Sequence, residues 1–160
     1  MIPRFGDVPR PGQGYIRRPG VYAILMRGGE VLVTHQAEPV PEIQLPGGGI
    51  DPGESPFRSL RREVMEETGW TVSAAVRLGA YRRFTWMPEY RIWAEKICQV
   101  FLARPGRRVG PPTERGHTAL WLPAELALAS LASEGDRWFL ARQLAPAGGG
   151  GRARPLFRRL

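Results

Sequence analysis

The spacing of apolar and polar residues along the chain predicts a set of strands interrupted by one strongly marked helix. Residues 21–26 (VYAILM) form a mostly apolar run that fits a buried strand. Residues 27–30 (RGGE) predict a turn, and residues 31–36 (VLVTHQ) the second strand of a hairpin. A proline-bearing loop then leads to a short strand at 43–45, which ends at Pro46 and three glycines. The helix that follows is punctuated at both ends. Ser55 is a natural N-cap, Pro56 a natural first residue and Gly69 a natural stop. Residues 71–88 and 91–103 are two long β-prone stretches around a turn at 86–90, followed by a loop at 104–116. A last short strand at 117–122 precedes a helix opened by Pro123 and another that Ser133 caps, running to about residue 144. This order predicts an α/β chain of the α+β kind, a mixed sheet packed by helices.

The ends differ in composition. Residues 1–18 are rich in proline, glycine and arginine and read as an extended N-terminal arm. Residues 146–160 carry four consecutive glycines and read as a flexible Gly/Arg-rich tail, which leaves 19–145 as one folded domain. The net charge is +8, and Lys96 is the single lysine. Arg152, Arg154, Arg158 and Arg159 place half of that excess in the tail, where it reads first as a solvated segment. Cys98 is the only cysteine, which excludes an intrachain disulfide and a cysteine metal cluster and fits a reducing cytoplasm. No apolar run is long enough to span a bilayer, and the first residues lack the apolar core of a cleaved leader.

The helix 56–68 carries the candidate chemistry. At about 100° per residue, Glu63, Glu66 and Glu67 share one face about 100° wide. Leu60, Val64 and Phe57 form an apolar stripe beside it. Like charges at these spacings repel, and burial at an apolar edge raises the cost. No lysine or arginine follows the glutamates at i+4 to offset it. A hard divalent cation with oxygen ligands would, and Asp51 and Glu54 stand close enough in sequence to join its field. The alternative is a solvated acidic face balanced by Arg58, Arg61 and Arg62.

The flanking spacing decides between them. Gly48 is followed by five residues to Glu54, then seven to Arg62-Glu63-Val64-Met65-Glu66-Glu67-Thr68-Gly69-Trp70. This resembles the Nudix hydrolase signature at every fixed position, with Trp70 where an aliphatic residue is usual. Seven fixed identities match by chance on the order of once in a million chains or more rarely.

The resemblance implies an α/β/α sandwich with a mixed central sheet, and Mg²⁺-dependent hydrolysis of the pyrophosphate of a nucleoside diphosphate linked to another group, with Mn²⁺ as substitute. It implies Glu63 and Glu67 as principal metal ligands, Glu66 as a further ligand or water-orienting group, the Gly47 carbonyl as a backbone ligand and Glu54 at the edge of the site. Arg62 would fix a carboxylate rotamer. The general base would be a box glutamate or a later acid, for which Glu114 is the candidate. Arg17, Arg18 and Arg82 are candidate phosphate contacts, since arginine matches phosphate oxygens bidentately. Trp86 and Tyr90, with Tyr81, Phe84 and Trp93, are candidates for a base-stacking wall. The expected partner is a small nucleotide-derived substrate, with no membrane role and a homodimer left open. Two further readings stand: a catalytically silent nucleotide-binding domain, and an RNA-directed pyrophosphohydrolase using the basic tail.

Overall fold

The structure is a computed structural model, and it describes residues 1–146. The predicted tail lies outside the described residues, apart from Pro146. Along the chain run β1 (Ile16–Arg27), β2 (Glu30–Gln36), β3 (Glu42–Gln44), β4 (Gly47–Gly49), α1 (Pro56–Thr68), β5 (Trp70–Met87), β6 (Ile92–Arg108), β7 (His117–Pro123), α2 (Ala124–Ser130) and α3 (Glu134–Leu144). The described strands form one mixed sheet in the order β3-β2-β1-β6-β5, with β4 added on β1 and β7 on β2.

Strand β1 organises both layers. It runs parallel to β6 from Ile16↔Ala94 to Leu25↔Ala103, and its Gly20–Tyr22 segment pairs antiparallel with Gly49–Gly47. Alternate side chains leave opposite faces of a strand. Val21, Ala23 and Leu25 therefore join Leu60 and Val64 of α1 in one buried cluster. Tyr22 and Ile24 join Ala127, Leu131, Phe139 and Leu140 of α2 and α3 in the other. This is the predicted α/β/α sandwich with a mixed central sheet.

The structure corrects the expected elements at four places. The β1–β2 hairpin is paired only at Met26↔Val31 and Arg27↔Glu30 before each strand finds other neighbours. The triple glycine is not a bare turn but strand β4, which borrows its pairing from β1. Residues 104–108 extend β6 because β5 continues opposite them as far as Trp70↔Arg108. Ile16–Arg18 belong to β1, and the arm before them is seated: the Phe5 amide donates to the Arg82 carbonyl and its ring packs on Tyr81 and Trp138. Tyr81 itself is core, bonded to Ser133 and Asp136, so it takes no part in a stacking wall. Phe57 is 39% exposed, which narrows the apolar stripe of α1 to Leu60 and Val64. No helix among the described residues is long and apolar enough to cross a membrane.

Helix α1 keeps its predicted punctuation. The Ser55 hydroxyl accepts the Arg58 amide at 3.3 Å. Gly69 is left-handed at φ 74°, and its amide donates to the Met65 carbonyl. A Cβ at Gly69 would lie 1.9 Å from the Gly110 carbonyl oxygen, so backbone crowding adds to left-handed strain. Ser55→Ala is expected to lower unfolding free energy by about 1 kcal/mol. Gly69→Ala should cost more than that in urea denaturation; equal losses would show that the αL cap is not tightly constrained.

Candidate functional site: a carboxylate cluster on a glycine strand

Docking Leu60 and Val64 on β1 turns the acidic face of α1 onto β4. The glycines of β4 let the backbone pass beneath the carboxylates. A Cβ at Gly47 would meet the Val21 carbonyl oxygen at 2.0 Å, and one at Gly48 would meet Glu63 Oε2 at 2.5 Å. The Gly47 amide donates to Glu67 Oε2 at 3.0 Å. Glu67 is only 5% exposed.

Arg62 gathers the surrounding acids. It grips Glu54 with two parallel bonds of 3.0 Å, and donates to Glu63 Oε1 at 2.9 Å, Glu66 Oε2 at 3.2 Å and the Gly49 carbonyl at 3.2 Å. Asp51 lies at 3.4 Å. The Ser59 hydroxyl also donates to Glu54. These bonds, those from Arg62 first, lower the Glu54 carboxyl to about 2. The charge relief sought at i+4 after the glutamates thus comes from the other side, with Arg62 four residues before Glu66. Glu54 supports the loop through Arg62, and Arg62 orients Glu63 and Glu66.

Glu63 and Glu67 lack sufficient compensation. Burial raises the carboxyls of both, and that of Glu67 well above its ordinary value despite the Gly47 bond. The nearest ring is that of His117, with Nδ1 at 3.5 Å from Glu67 Oε1 and 2.9 Å from Thr34 Oγ1. Burial lowers the His117 imidazole, so near neutral pH it is mostly uncharged and supplies no full countercharge. The sequence reading missed His117, because only the β2–β7 pairing carries it beside α1. Its local pattern is that of an ordinary strand start.

Glu114 reaches this field through the end of α1. The Glu66 carbonyl accepts both the Thr113 and Glu114 amides at 2.8 Å. The Glu114 charge acts on Glu63 and Glu67, and its side chain lines a cleft of about 340 Å³ with Gln36, Glu38 and His117. The substrate-contact candidates collect elsewhere, at the β5–β6 hairpin end. Arg17 and Arg82 bond to Glu95. Arg18 lies over the Tyr90 ring at 4.6 Å, and Trp86 packs on Trp93 at 5.5 Å. Trp86 is 44% and Tyr90 54% exposed. Their partners in the structure are these neighbours rather than the α1 carboxylates.

The NUDIX domain family model matches residues 16–144. The chain belongs to the Nudix family. It is 31% identical over 78 residues to a Bacillus subtilis (strain 168) protein named provisionally as an 8-oxo-dGTP diphosphatase, covering 49% of this chain and 52% of that one. It is 40% identical over 57 residues to an RNA pyrophosphohydrolase of Helicobacter pylori (strain ATCC 700392 / 26695), covering 32% of this chain and 37% of that one. These matches therefore span about half and about a third of the curated relatives. The Nudix hydrolase from Nitrosomonas europaea shares the fold at TM-score 0.65 and 18% identity, over 81% of this chain and 88% of that one.

Nudix proteins imply a divalent cation, and the residues fit one in charge and donor type. Carboxylate oxygens suit a hard cation, and one guanidinium faces more acids than it can neutralise. Among the described residues no three His, Cys, Asp or Glu groups stand as a closed ligand set. Arg62 occupies the space between Glu54, Glu63 and Glu66.

The buried acid has a measurable consequence. A carboxyl whose folded pKa is raised loses stability as pH climbs above its unfolded value of about 4.3. Metal-free Glu67→Gln should therefore be more stable than the parent at pH 7, by about 1 kcal/mol. The amide oxygen can still accept from Gly47. The gain should shrink toward pH 4, where Glu67 is protonated in both states. Glu54 has the opposite sign: its lowered carboxyl stabilises above about 4.3 and is lost as pH falls toward 2. Calorimetric melts from pH 2 to 8 in chelator would check both; a Glu67→Gln protein less stable at pH 7 would contradict the unpaired charge.

Proposed function

We propose that this chain is a Nudix hydrolase that cleaves the pyrophosphate bond of a nucleoside diphosphate linked to another group, with Mg²⁺ as the metal. The observation that carries this reading is the Glu63–Glu67 pair, buried against β4 with incomplete charge compensation and with Glu114 drawn to the same field. The names of the two curated relatives, both acting on nucleotide or RNA pyrophosphates, point the same way.

Glu63 and Glu67 would hold the cation, with Glu66 and the Gly47 carbonyl as further donors. A bound divalent ion supplies charge neutralisation on phosphate and a lowered pKa for water. Arg62 keeps the Glu63 and Glu66 carboxylates in their rotamers by direct bonds. Glu114 is the group assigned to take the proton from the attacking water. Glu66 Oε2 is already engaged by Arg62, whereas Glu114 faces the open cleft. His117 holds its ring beside Glu67 and limits solvent there. Arg17, Arg18, Arg82, Trp86 and Tyr90 form the surface proposed for substrate parts remote from the scissile bond.

The relative from Helicobacter pylori favours one second reading, an RNA 5′ end as substrate. Deleting residues 146–160 should then weaken RNA turnover and flatten its salt dependence, while leaving turnover of small nucleotides unchanged.

A panel of nucleoside triphosphates, dinucleotides, nucleotide sugars and 5′-triphosphorylated RNA, assayed with Mg²⁺ and Mn²⁺, should give turnover with at least one member. Glu67→Gln should lower that rate at least about a hundredfold. Glu114→Gln should lower kcat more than Glu66→Gln and remove the acidic limb of its pH profile. Silence of the parent protein across the panel would defeat the hydrolase reading. A Glu114→Gln profile with that limb intact would move the proton transfer to another group.

A further inference from the structure

His117 stands between two groups that the hydrolase reading puts to work. Its side chain is 8% exposed, with Nδ1 at 3.5 Å from Glu67 Oε1, and its ring forms part of the cleft wall beside Glu114. The cleft, at about 340 Å³, is at the small end of ligand pockets. Gln36 and His117 pair directly across β2 and β7, and Thr34 lies two residues along the same face of β2. That register brings Thr34 Oγ1 to 2.9 Å from His117 Nδ1.

The bond has a direction. Thr34 is fully buried, and His117 Nδ1 is the one partner of its hydroxyl among the described residues. A buried hydroxyl that donates to nothing is costly. A hydrogen on Nδ1 of the neutral ring would leave Thr34 in that state, because Nδ1 would then donate and accept nothing. The hydroxyl therefore donates to Nδ1, and the ring hydrogen sits on Nε2. An imidazolium would carry a hydrogen there too, so Nε2 is a donor in either state. Glu67 Oε1 does not compete, since 3.5 Å from Nδ1 is too long for a strong N–H···O bond. Nε2 has no hydrogen-bond partner among the described residues, and it is not one of their sealed, unpaired nitrogens, which are Arg83 Nε and Trp121 Nε1. It is a donor open to the cleft.

A phosphoryl group attacked by water at Glu114 must bring its oxygens into this cleft. The walls are poorly suited to that charge. Glu38 and Glu114 are acids, and Gln36 spends its amide on the Glu38 carbonyl. Among the described lining residues Arg115 is the cation. Nε2–H adds a donor at the inner wall, against Glu67. We propose that His117 is a catalytic residue, whose Nε2–H donates to a phosphoryl oxygen of the substrate as negative charge builds there during hydrolysis, and that Thr34 is the positioning residue that keeps the hydrogen on Nε2. His117 retains its proton throughout, and Glu114 keeps the role of base. This role rests on the hydrolase reading and adds a donor to it.

The test uses the full chain. In chelator, long-range ¹⁵N–¹H spectra of the histidine rings should place the His117 hydrogen on Nε2, and Thr34→Val should move it to Nδ1, where it faces Glu67. That readout needs neither substrate nor metal. On any substrate the parent turns over, His117→Phe should lower kcat roughly a hundredfold, the order expected for one lost oxyanion donor, with KM little changed. His117→Gln, whose amide sets an N–H near the Nε2 position, should recover part of that loss. Thr34→Val should also lower kcat, although Thr34 touches no substrate, and Thr34→Ser should restore it. Hydrogen on Nδ1 in the parent, an unchanged kcat in His117→Phe, or equal rates in His117→Phe and His117→Gln would overturn the proposal. So would losses that merely track falling melting temperatures, the mark of a purely structural histidine. A parent silent on every substrate removes the hydrolase reading itself, whereas an active parent with full kcat in His117→Phe removes this role alone.

Discussion

The arrangement of the acidic helix follows from one constraint: the Glu67 carboxylate is buried with a single backbone amide, that of Gly47, as its donor. For that bond to form, β4 must pass directly under α1; only glycine permits the approach at position 47, and a side chain at 48 would displace the Glu63 carboxylate. Helix α1 must also be rotated so that Leu60 and Val64 face β1, which brings Glu63 over Gly48. The remaining acids cannot then spread into solvent. They are drawn together by Arg62, whose five nearby oxygen-bearing partners span the loop before the helix, the helix itself and β4. One guanidinium can orient these groups but cannot neutralise them, so the cluster keeps a charge that a divalent cation would offset.

Much of this was legible in the chain. Ser55, Pro56 and Gly69 mark the helix ends because capping is local chemistry. The period of the glutamates fixes their common face because helical geometry is local too. What stayed hidden depends on pairing between distant segments. Three glycines carry no strand signal of their own, and β4 exists because β1 supplies its partner. The extension of β6 past residue 103 exists because β5 lies opposite. His117 reaches Glu67 only through the register of β2 with β7. Tyr81 stood among the candidates for a base-stacking wall or for the core, and the Asp136 carboxylate and Ser133 hydroxyl that fix it in the core come from more than 50 residues downstream.

Arg62 shows a subtler gap. Scanning forward from each glutamate finds no basic residue at i+4, and that observation is correct. The compensation runs backward along the helix and outward to Glu54 and Asp51, where helical spacing says nothing. A side chain that bridges a helix to its preceding loop has no periodic signature. Only the chain path that returns residues 51–54 to the helix face makes the bridge visible.

Strand β1 gives these features a common physical basis. Its alternation sends Val21 and Tyr22 to opposite layers, so adjacent residues of one strand touch two sites of opposite charge. Below Val21 lies an excess of carboxylates, and beside Tyr22 lie Arg83 and Lys96. Each group of charges would be costly in a dry core. Set on either face of a single sheet, each is offset by its own neighbours, the carboxylates by Arg62 and the cations by Tyr22 and the buried Asp136. The sheet keeps the two sets from forming ion pairs with each other. The alternation of one strand thus keeps the α1 carboxylates and the Arg83–Lys96 pair in separate layers, each with its own set of partners.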